Sequence, residues 1–405
     1  MSEYRYLVYD LASKAFVNEV RFTSFQYNRV LKRDDGWSAE ISVNDPKATQ
    51  LTFAAGQRTV WVVLDDVIVF GGILWTATWS GNQLQLGGEG FLSYYSNTRR
   101  TVQNAVGMLT TDLGITPSGV YTEITWSQQD QFNIVRDLVR HANANTMGAS
   151  GGLLDYDAGL GTVGLDWANI TAGTTGVVAF SNVLISKTIF TYERRGIYEL
   201  IEELSKATLL PSGVTAGFDF FVRYQWSGTT PAAPQRYLQL VYPRTGNLTG
   251  YLEEGKNAVI ESYTIDGSKL ANDVSVAGSG SGDGKVYGRA VDSTTMYPAG
   301  LNVYLESVKS LSGEGLAANL TAQAQSELAL TRVPLETINV QVDDTTDSKL
   351  GLMNPGDTVK LKADRGFLTL NDTYRLVVLS VQISDLGIAK QKISLASLGA
   401  STGKF

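Results

Sequence analysis

The stretch AGQRTVWVV (Ala55–Val63) places a glycine turn directly before a Thr-Val strand start, and PGDTVKLK (Pro355–Lys362) repeats that arrangement about 300 residues later. Each copy sits inside a similar run of segments. The first is preceded by WSAEISV (Trp37–Val43) and followed by VIVFGGILWTATW (Val67–Trp79) and NQLQLGG (Asn82–Gly88). The second is preceded by LETINVQV (Leu335–Val342) and followed by YRLVVLSVQIS (Tyr374–Ser384) and AKQKISLAS (Ala389–Ser397). Apolar residues alternate or run together over strand lengths, with Gly, Asp, Asn and Ser between the runs, which is the pattern of short antiparallel strands. Gly56 aligns with Gly356, with a one-residue slip before the Thr-Val pair. The matching order predicts two similar small β-barrel domains, one at each end of the chain; chance likeness between all-β segments is the competing reading.

Between these ends the texture is mixed. RYLVYDL (Arg5–Leu11) and FVNEVRF (Phe16–Phe22) complete a first β domain, 1–96. A second segment, 97–190, holds a candidate helix at 101–114 and a clearer one after Ser127. There Ser127 and Asp130 resemble a capping box, and Phe132, Val135 and Val139 share a face. The Gly/Thr/Ala-rich region 147–178 reads as loops and short strands on the surface. A third segment, 191–256, combines an amphipathic helix over 192–208 with a hairpin of GFDFFVRYQW (Gly217–Trp226) and RYLQLVYPRTG (Arg236–Gly246), and is expected to be compact in its own right. The fourth, 257–405, is the second barrel with an inserted helix at about 313–332, ending before Pro334. The fold class expected is therefore mainly β with α+β insertions: two like barrels plus helix-hairpin modules.

Composition narrows the chemistry. The chain has 405 residues, of which 43% are hydrophobic and only 18% charged, with 41 Gly and 19 Tyr, a profile of turn-rich β structure. It has no cysteine, so disulfides, thiolate catalysis and Cys-ligated metals are excluded. A net charge of −7 speaks against recognition of nucleic acid through phosphate neutralisation. The N-terminal residues show no basic region followed by an apolar run, and the most apolar stretch is broken by Asp65 and Asp66. Neither a signal peptide nor a membrane-spanning segment is expected.

Candidate sites are few. His141 is the single histidine, at a helix end beside Arg140, where a cationic side chain complements the helix dipole; a catalytic triad would have to use it. The carboxylate pairs Asp65-Asp66, Asp155 with Asp157, Glu202-Glu203 and Asp343-Asp344 read as solvated turn residues, although a glycosidase pair needs only suitable spacing across a cleft. LDYDAGLG (Leu154–Gly161) lacks the Glu of a calcium loop, with Asp166 at its twelfth position. GSGSGDGK (Gly278–Lys285) lacks the Ser/Thr and the following helix of a phosphate loop, and reads as a hairpin tip. The Asn-x-Thr sequons at Asn169, Asn247, Asn319 and Asn371 are read as chance, given no secretory signal. Trp75 and Trp79 are placed on one strand face, in the core or at a subunit contact. No catalytic, cofactor-binding or metal residue is assigned, and no cofactor is expected.

The order of parts resembles the tail-hub or baseplate-hub proteins of tailed bacteriophages, called minor tail proteins in long-tailed phages. The resemblance is carried by WSAEISVNDP, by IYELIEELSKAT with the hairpin after it, by LANDVSVAGSGSGDGKVYGRAVD with its helix, and by LETINVQV, MNPGDTVKL and YRLVVLSVQIS at the end. It implies a structural, non-enzymatic virion protein: a homotrimer whose six like domains form a pseudo-sixfold ring at the tail tip. Its implied partners are a distal tail or tail-tube protein, a tape measure protein and tip or fibre proteins. DNA would pass transiently through its lumen, without stable membrane insertion. It would be made in the host cytoplasm, and, with the chain ending at Phe405, no peptidase or lysozyme domain is expected. The alternatives are a carbohydrate-binding or glycan-degrading tail or cell-surface protein, using its aromatics and carboxylates, and an adhesin-like β-protein.

Overall fold

The computed structural model of the chain describes residues 3–96, 101–102, 123–144, 181–206, 208–209, 215–227, 233–242, 248–292, 304–311, 315–342, 353–366, 368–385 and 388–397. The candidate helix at 101–114, the region 147–178, the calcium-like loop and the pairs Asp155/Asp157 and Asp343-Asp344 lie largely or wholly outside these residues.

The first unit contains β1 (Tyr4–Asp10), β2 (Phe16–Val20), β3 (Ser24–Val30), β4 (Gly36–Ser42), β5 (Arg58–Leu64), β6 (Val67–Ser80) and β7 (Gln83–Glu89). The middle of the chain adds β8 (Glu123–Asp130), α1 (Gln131–Ala144), β9 (Leu184–Phe190), α2 (Ile197–Ser205), β10 (Thr208–Leu209), β11 (Thr215–Ala216), β12 (Asp219–Trp226), β13 (Pro234–Val241) and β14 (Leu248–Glu253). The rest is β15 (Ala258–Asp266), β16 (Asp273–Ala277), β17 (Tyr287–Val291), β18 (Glu306–Ser310), α3 (Ala317–Thr331), β19 (Leu335–Val342), β20 (Thr358–Arg365), β21 (Leu368–Ser384) and β22 (Ala389–Ser397).

The two ends of the chain repeat one pairing scheme. In the first unit the strands run β5-β6-β7-β4-β3, and in the second they run β20-β21-β22-β19-β15, with every one of these neighbours antiparallel. The likeness extends to irregularities. The bulge that opens β6 against β7 between Leu74 and Thr76 has its counterpart between Leu376 and Val378 of β21 against β22. Thr59 lies opposite Ile73, as Thr358 lies opposite Arg375. The sixth strands differ, since β1 joins β5 antiparallel while β14 joins β20 in parallel.

Two closed barrels, however, are not found among the described residues. Among the described residues β3 of the first unit pairs with β21 of the second, so both units belong to one thirteen-stranded sheet. Its physical basis is the length of β21: seventeen residues give one edge room for two partners in succession, β20 along its first half and β3 along its second. A single core then runs through both units, from Phe25, Tyr27 and Phe70 to Val340, Leu379 and Ile393.

The helix-hairpin unit does not stand alone either. α1, α2, β12 and β13 share a core with the other face of the first unit, where Phe132, Ile197, Phe218 and Leu238 pack with Trp61, Ile73 and Phe91. The amphipathic patterns of these helices are the reason: Phe132, Val135 and Val139 of α1 and Ile197, Leu200 and Ile201 of α2 are all buried. α1 is capped by Asp130, whose carboxylate accepts from the Phe132 N–H at 2.8 Å, and the expected cap Ser127 lies within β8. α3 packs on β16 and β17 through Leu320, Ala324 and Leu328 to form a small third core.

Candidate functional site

The repeated glycines do one mechanical task. Gly56 (φ +73°) donates its N–H to the Leu74 carbonyl at 2.7 Å, and Gly356 (φ +97°) donates to the Leu376 carbonyl at 2.8 Å. At this point the neighbouring chain leaves the edge of the long strand. The backbone conformation is one that L-residues with a Cβ avoid, which is why glycine stands there. Beyond Leu74 and Leu376, each long strand therefore projects past its neighbour with one edge uncovered by its own unit: Thr76–Ser80 in β6 and Val378–Ser384 in β21.

In the second unit this projecting segment is occupied. β3 lies antiparallel to it, with Val378 opposite Val30, Ser380 opposite Asn28, Val381 opposite Tyr27 and Ile383 opposite Phe25. Leu379 and Val381 are 3% and 0% exposed there. A polar lock sits at the end of the junction. The Arg29 guanidinium donates to the Asn354 side chain at 2.6 Å and to the Val222 carbonyl at 2.9 Å, and lies over the Tyr224 ring. The Tyr224 hydroxyl donates to Asp35 at 3.2 Å, and Asp35 also accepts from the Val30 N–H at 3.0 Å. Burial pushes the Asp35 carboxyl up to about 6, against the opposing pull of Arg29 and of these two hydrogen bonds. One turn on, Asp219 forms ion pairs with Lys32 at 3.4 Å and with Arg375, all three buried. Strand β3, the hairpin β12–β13 and strand β21 are thus tied at one point.

In the first unit the projecting segment Thr76–Ser80 pairs with β7 alone among the described residues, and all five of its residues are exposed, Trp79 at 75%. At the far end of the sheet β15 has β19 as its one partner strand among the described residues; Glu254 bridges Ala258 at its start and accepts from the Ile260 N–H at 2.6 Å, and Val259 and Ile265 are 45% and 53% exposed. Trp75, at the bulge, is half-buried and donates its Nε1–H to Ser93 at 3.0 Å, so the two tryptophans of β6 have different environments.

The residues weighed for catalysis are scattered. His141 is fully buried in the last turn of α1. Asp65 and Asp66 are exposed at the two-residue β5–β6 turn, both with positive φ, as a tight hairpin requires. Glu203 is paired with Lys187 and with Arg195 at 2.5 Å, and these cations hold its carboxyl below its ordinary range despite burial. Among the described residues no three His, Asp or Glu side chains gather as metal ligands, and no helix is long and apolar enough to cross a membrane. The glycine-rich stretch from Gly278 forms a short 3₁₀ turn at Gly282–Gly284 leading to β17, without a helix after it. The junction itself escaped sequence reading because β3 was not recognised as a strand; its alternation, SFQYNRV with Phe25, Tyr27 and Arg29 buried, was the available signal.

No protein-family model matches the chain, and no curated protein matches it. Among solved structures, the 43 kDa tail protein of prophage MuSo2 from Shewanella oneidensis superposes with a TM-score of 0.58 at 10% identity, covering 98% of this chain and 99% of that one. A tail protein from Neisseria meningitidis MC58 superposes with a TM-score of 0.52 at 14% identity, covering 98% of each. At these identities the likeness is one of fold, and it extends over nearly the whole chain: this protein shares the fold of the two tail proteins.

Proposed function

We propose that this chain is a structural, non-enzymatic virion protein that assembles as a homotrimeric, pseudo-sixfold hub at the tip of a phage tail. Residues 1–96 and 257–405 supply the ring-forming units, with 97–190 and 191–256 set between them. The hub joins the distal tail or tail-tube protein to tip or fibre proteins, adjoins the tape measure protein and forms part of the channel through which DNA leaves. It is made in the host cytoplasm and carried in the virion, without stable membrane insertion.

The observation that carries this reading is the repeated strand order, β5-β6-β7-β4-β3 and β20-β21-β22-β19-β15, within one chain. A protein with two like units per chain presents six of them when three chains close a ring, so a threefold object can meet a sixfold neighbour. The fold shared with two tail proteins supports the tail setting. Light scattering or mass photometry of the chain mixed with its adjoining tail-tube protein is expected to give a particle containing three copies. A strict monomer under those conditions overturns the reading, and polysaccharide turnover lost on one carboxylate-to-amide change would favour the glycan-degrading alternative.

A further inference from the structure

A cleft of about 930 Å³ lies between the middle of the chain and the small third core, lined by β9, the end of α2, the segment 268–271, β18 and α3. We propose that β18 is an acceptor edge for an extended, acidic segment of another protein, which adds to it as a strand within this cleft. The assignment stands whether or not three copies close a ring.

The backbone of β18 supplies the attachment. It pairs in parallel with β16 and, among the described residues, with no other strand. At its ends the Leu305 carbonyl accepts from the Asn272 and Asp273 N–H groups, and the Leu311 N–H donates to the Ala277 carbonyl at 2.7 Å. Backbone groups alternate between the two edges of a strand. Ser307 and Lys309 therefore also turn theirs to β16, while Glu306, Val308 and Ser310 present N–H and C=O to the open edge. Glu306 and Ser307, neighbours whose side chains point to opposite faces, both line the cleft, so it meets the edge of the sheet and not one face. Such a row of unpaired groups is a template for a further strand. The protections an edge commonly carries are weak here. Val308 is 71% exposed, and no proline interrupts the strand. Lys309, the side chain able to guard the edge, is drawn to Glu327 of α3 at 2.7 Å.

The side chains of the cleft set the chemistry of the occupant. Glu203 is held by Lys187 and Arg195, and Glu327 by Lys309. Glu306 is the remaining carboxylate of the lining. Against it stand Lys206 and Lys269, both exposed and both without an ion-pair partner among the described residues. The unpaired charge is therefore positive on balance and suits carboxylates. Leu204, Leu270 and Leu330, each only partly buried, add apolar contact. A strand in which apolar and acidic residues alternate satisfies both, with backbone pairing giving affinity and alternate side chains giving specificity.

Hydrogen exchange read by mass spectrometry on the full chain tests this, with a synthetic peptide of alternating valine and glutamate long enough to span β18 as the probe. The fragment covering Glu306–Ser310 is expected to exchange quickly at its open-edge amides in the chain alone and to become protected when the peptide is added. The same peptide with lysine for glutamate, or N-methylated at alternate residues so that it cannot pair, is expected to protect nothing. Lys206→Glu and Lys269→Glu, both at exposed positions, are each expected to weaken the acidic peptide by about fivefold. Val308→Pro removes one outward N–H at a place where an edge strand tolerates proline, and is expected to abolish binding. Ser310→Pro repeats that test at the end of the strand, should the first variant fold poorly. Fast exchange that the acidic peptide leaves unchanged, or equal protection by acidic and basic peptides, overturns the proposal. So does protection in the chain alone: if it rises with protein concentration a second copy covers the edge, and if it does not the chain covers it itself. Protection by an oligothymidylate in place of the peptide would assign the cleft to nucleic acid and likewise overturn it.

Discussion

Gly56 and Gly356 carry the same duty at equivalent places: each turns the chain away from a long strand at a backbone conformation of positive φ. Gly356→Val forces a β-branched side chain into that region and is expected to cost about 1–3 kcal/mol, read as a lowered urea midpoint; an unchanged midpoint would show that the turn relaxes freely. Asp35 offers a test through pH. Its carboxyl ordinarily titrates near 3.8 and is raised to about 6 by burial, so the folded protein holds this proton more tightly than the unfolded chain. The stabilisation is complete below about pH 4 and is lost as pH rises through about 6, amounting to about 2–3 kcal/mol. Asp35→Asn is expected to show a smaller loss of stability between pH 4 and pH 7 than the unsubstituted chain, by comparison of urea midpoints at the two pH values. An equal loss in both proteins would remove Asp35 from the account. At this scale the two glycines were legible because a turn glycine before a strand is a local signal. The pairing of Asp35 with Tyr224 and of Asp219 with Lys32 and Arg375 was not, since these partners lie far apart in the chain.

Among the elements, the strands flanking the two glycines could be read almost residue for residue: Arg58–Leu64, Leu335–Val342 and Ala389–Ser397 have the expected bounds. Alternation and turn residues are properties of short windows, and they determine such strands. Whether a strand's second edge meets its own unit or another is a property of length and register, and it decided closure. β21 extends six residues before the expected start at Tyr374, which gives one edge space for both β20 and β3. The hairpin β12–β13 belongs to the same story, because Asp219 anchors it to Arg375 of β21 and to Lys32 just past β3. Asp219→Ala leaves two buried cations without their carboxylate and is expected to destabilise the chain by about 3–5 kcal/mol. A change below about 1 kcal/mol, within the range of exposed ion pairs, would mean that the lock is dispensable. The small core of α3 on β16 and β17 is separate from this junction. Leu320→Ala, which empties a fully buried position there, is expected to cost about 2–5 kcal/mol while leaving the three-copy mass of the particle formed with the tail-tube protein unchanged.

For the whole molecule, the repeat gives one chain two like units: the junction between them is made within the chain by β3 and β21, while among the described residues Thr76–Ser80 of β6 has β7 as its one strand partner. Three chains closed in a ring would set the two like units alternately around it, so that contacts within and between chains fall at equivalent places. Sequence reading reached the duplication but pictured each unit closing on itself, because nothing local distinguishes a strand that seals its own barrel from one that reaches into the next unit. Electron-microscope averages of the particle formed with the tail-tube protein test the central claim most directly. Three chains in a closed ring with six equally spaced, similar lobes is the predicted result; an open particle, or a ring whose lobes do not number twice its chains, would contradict it.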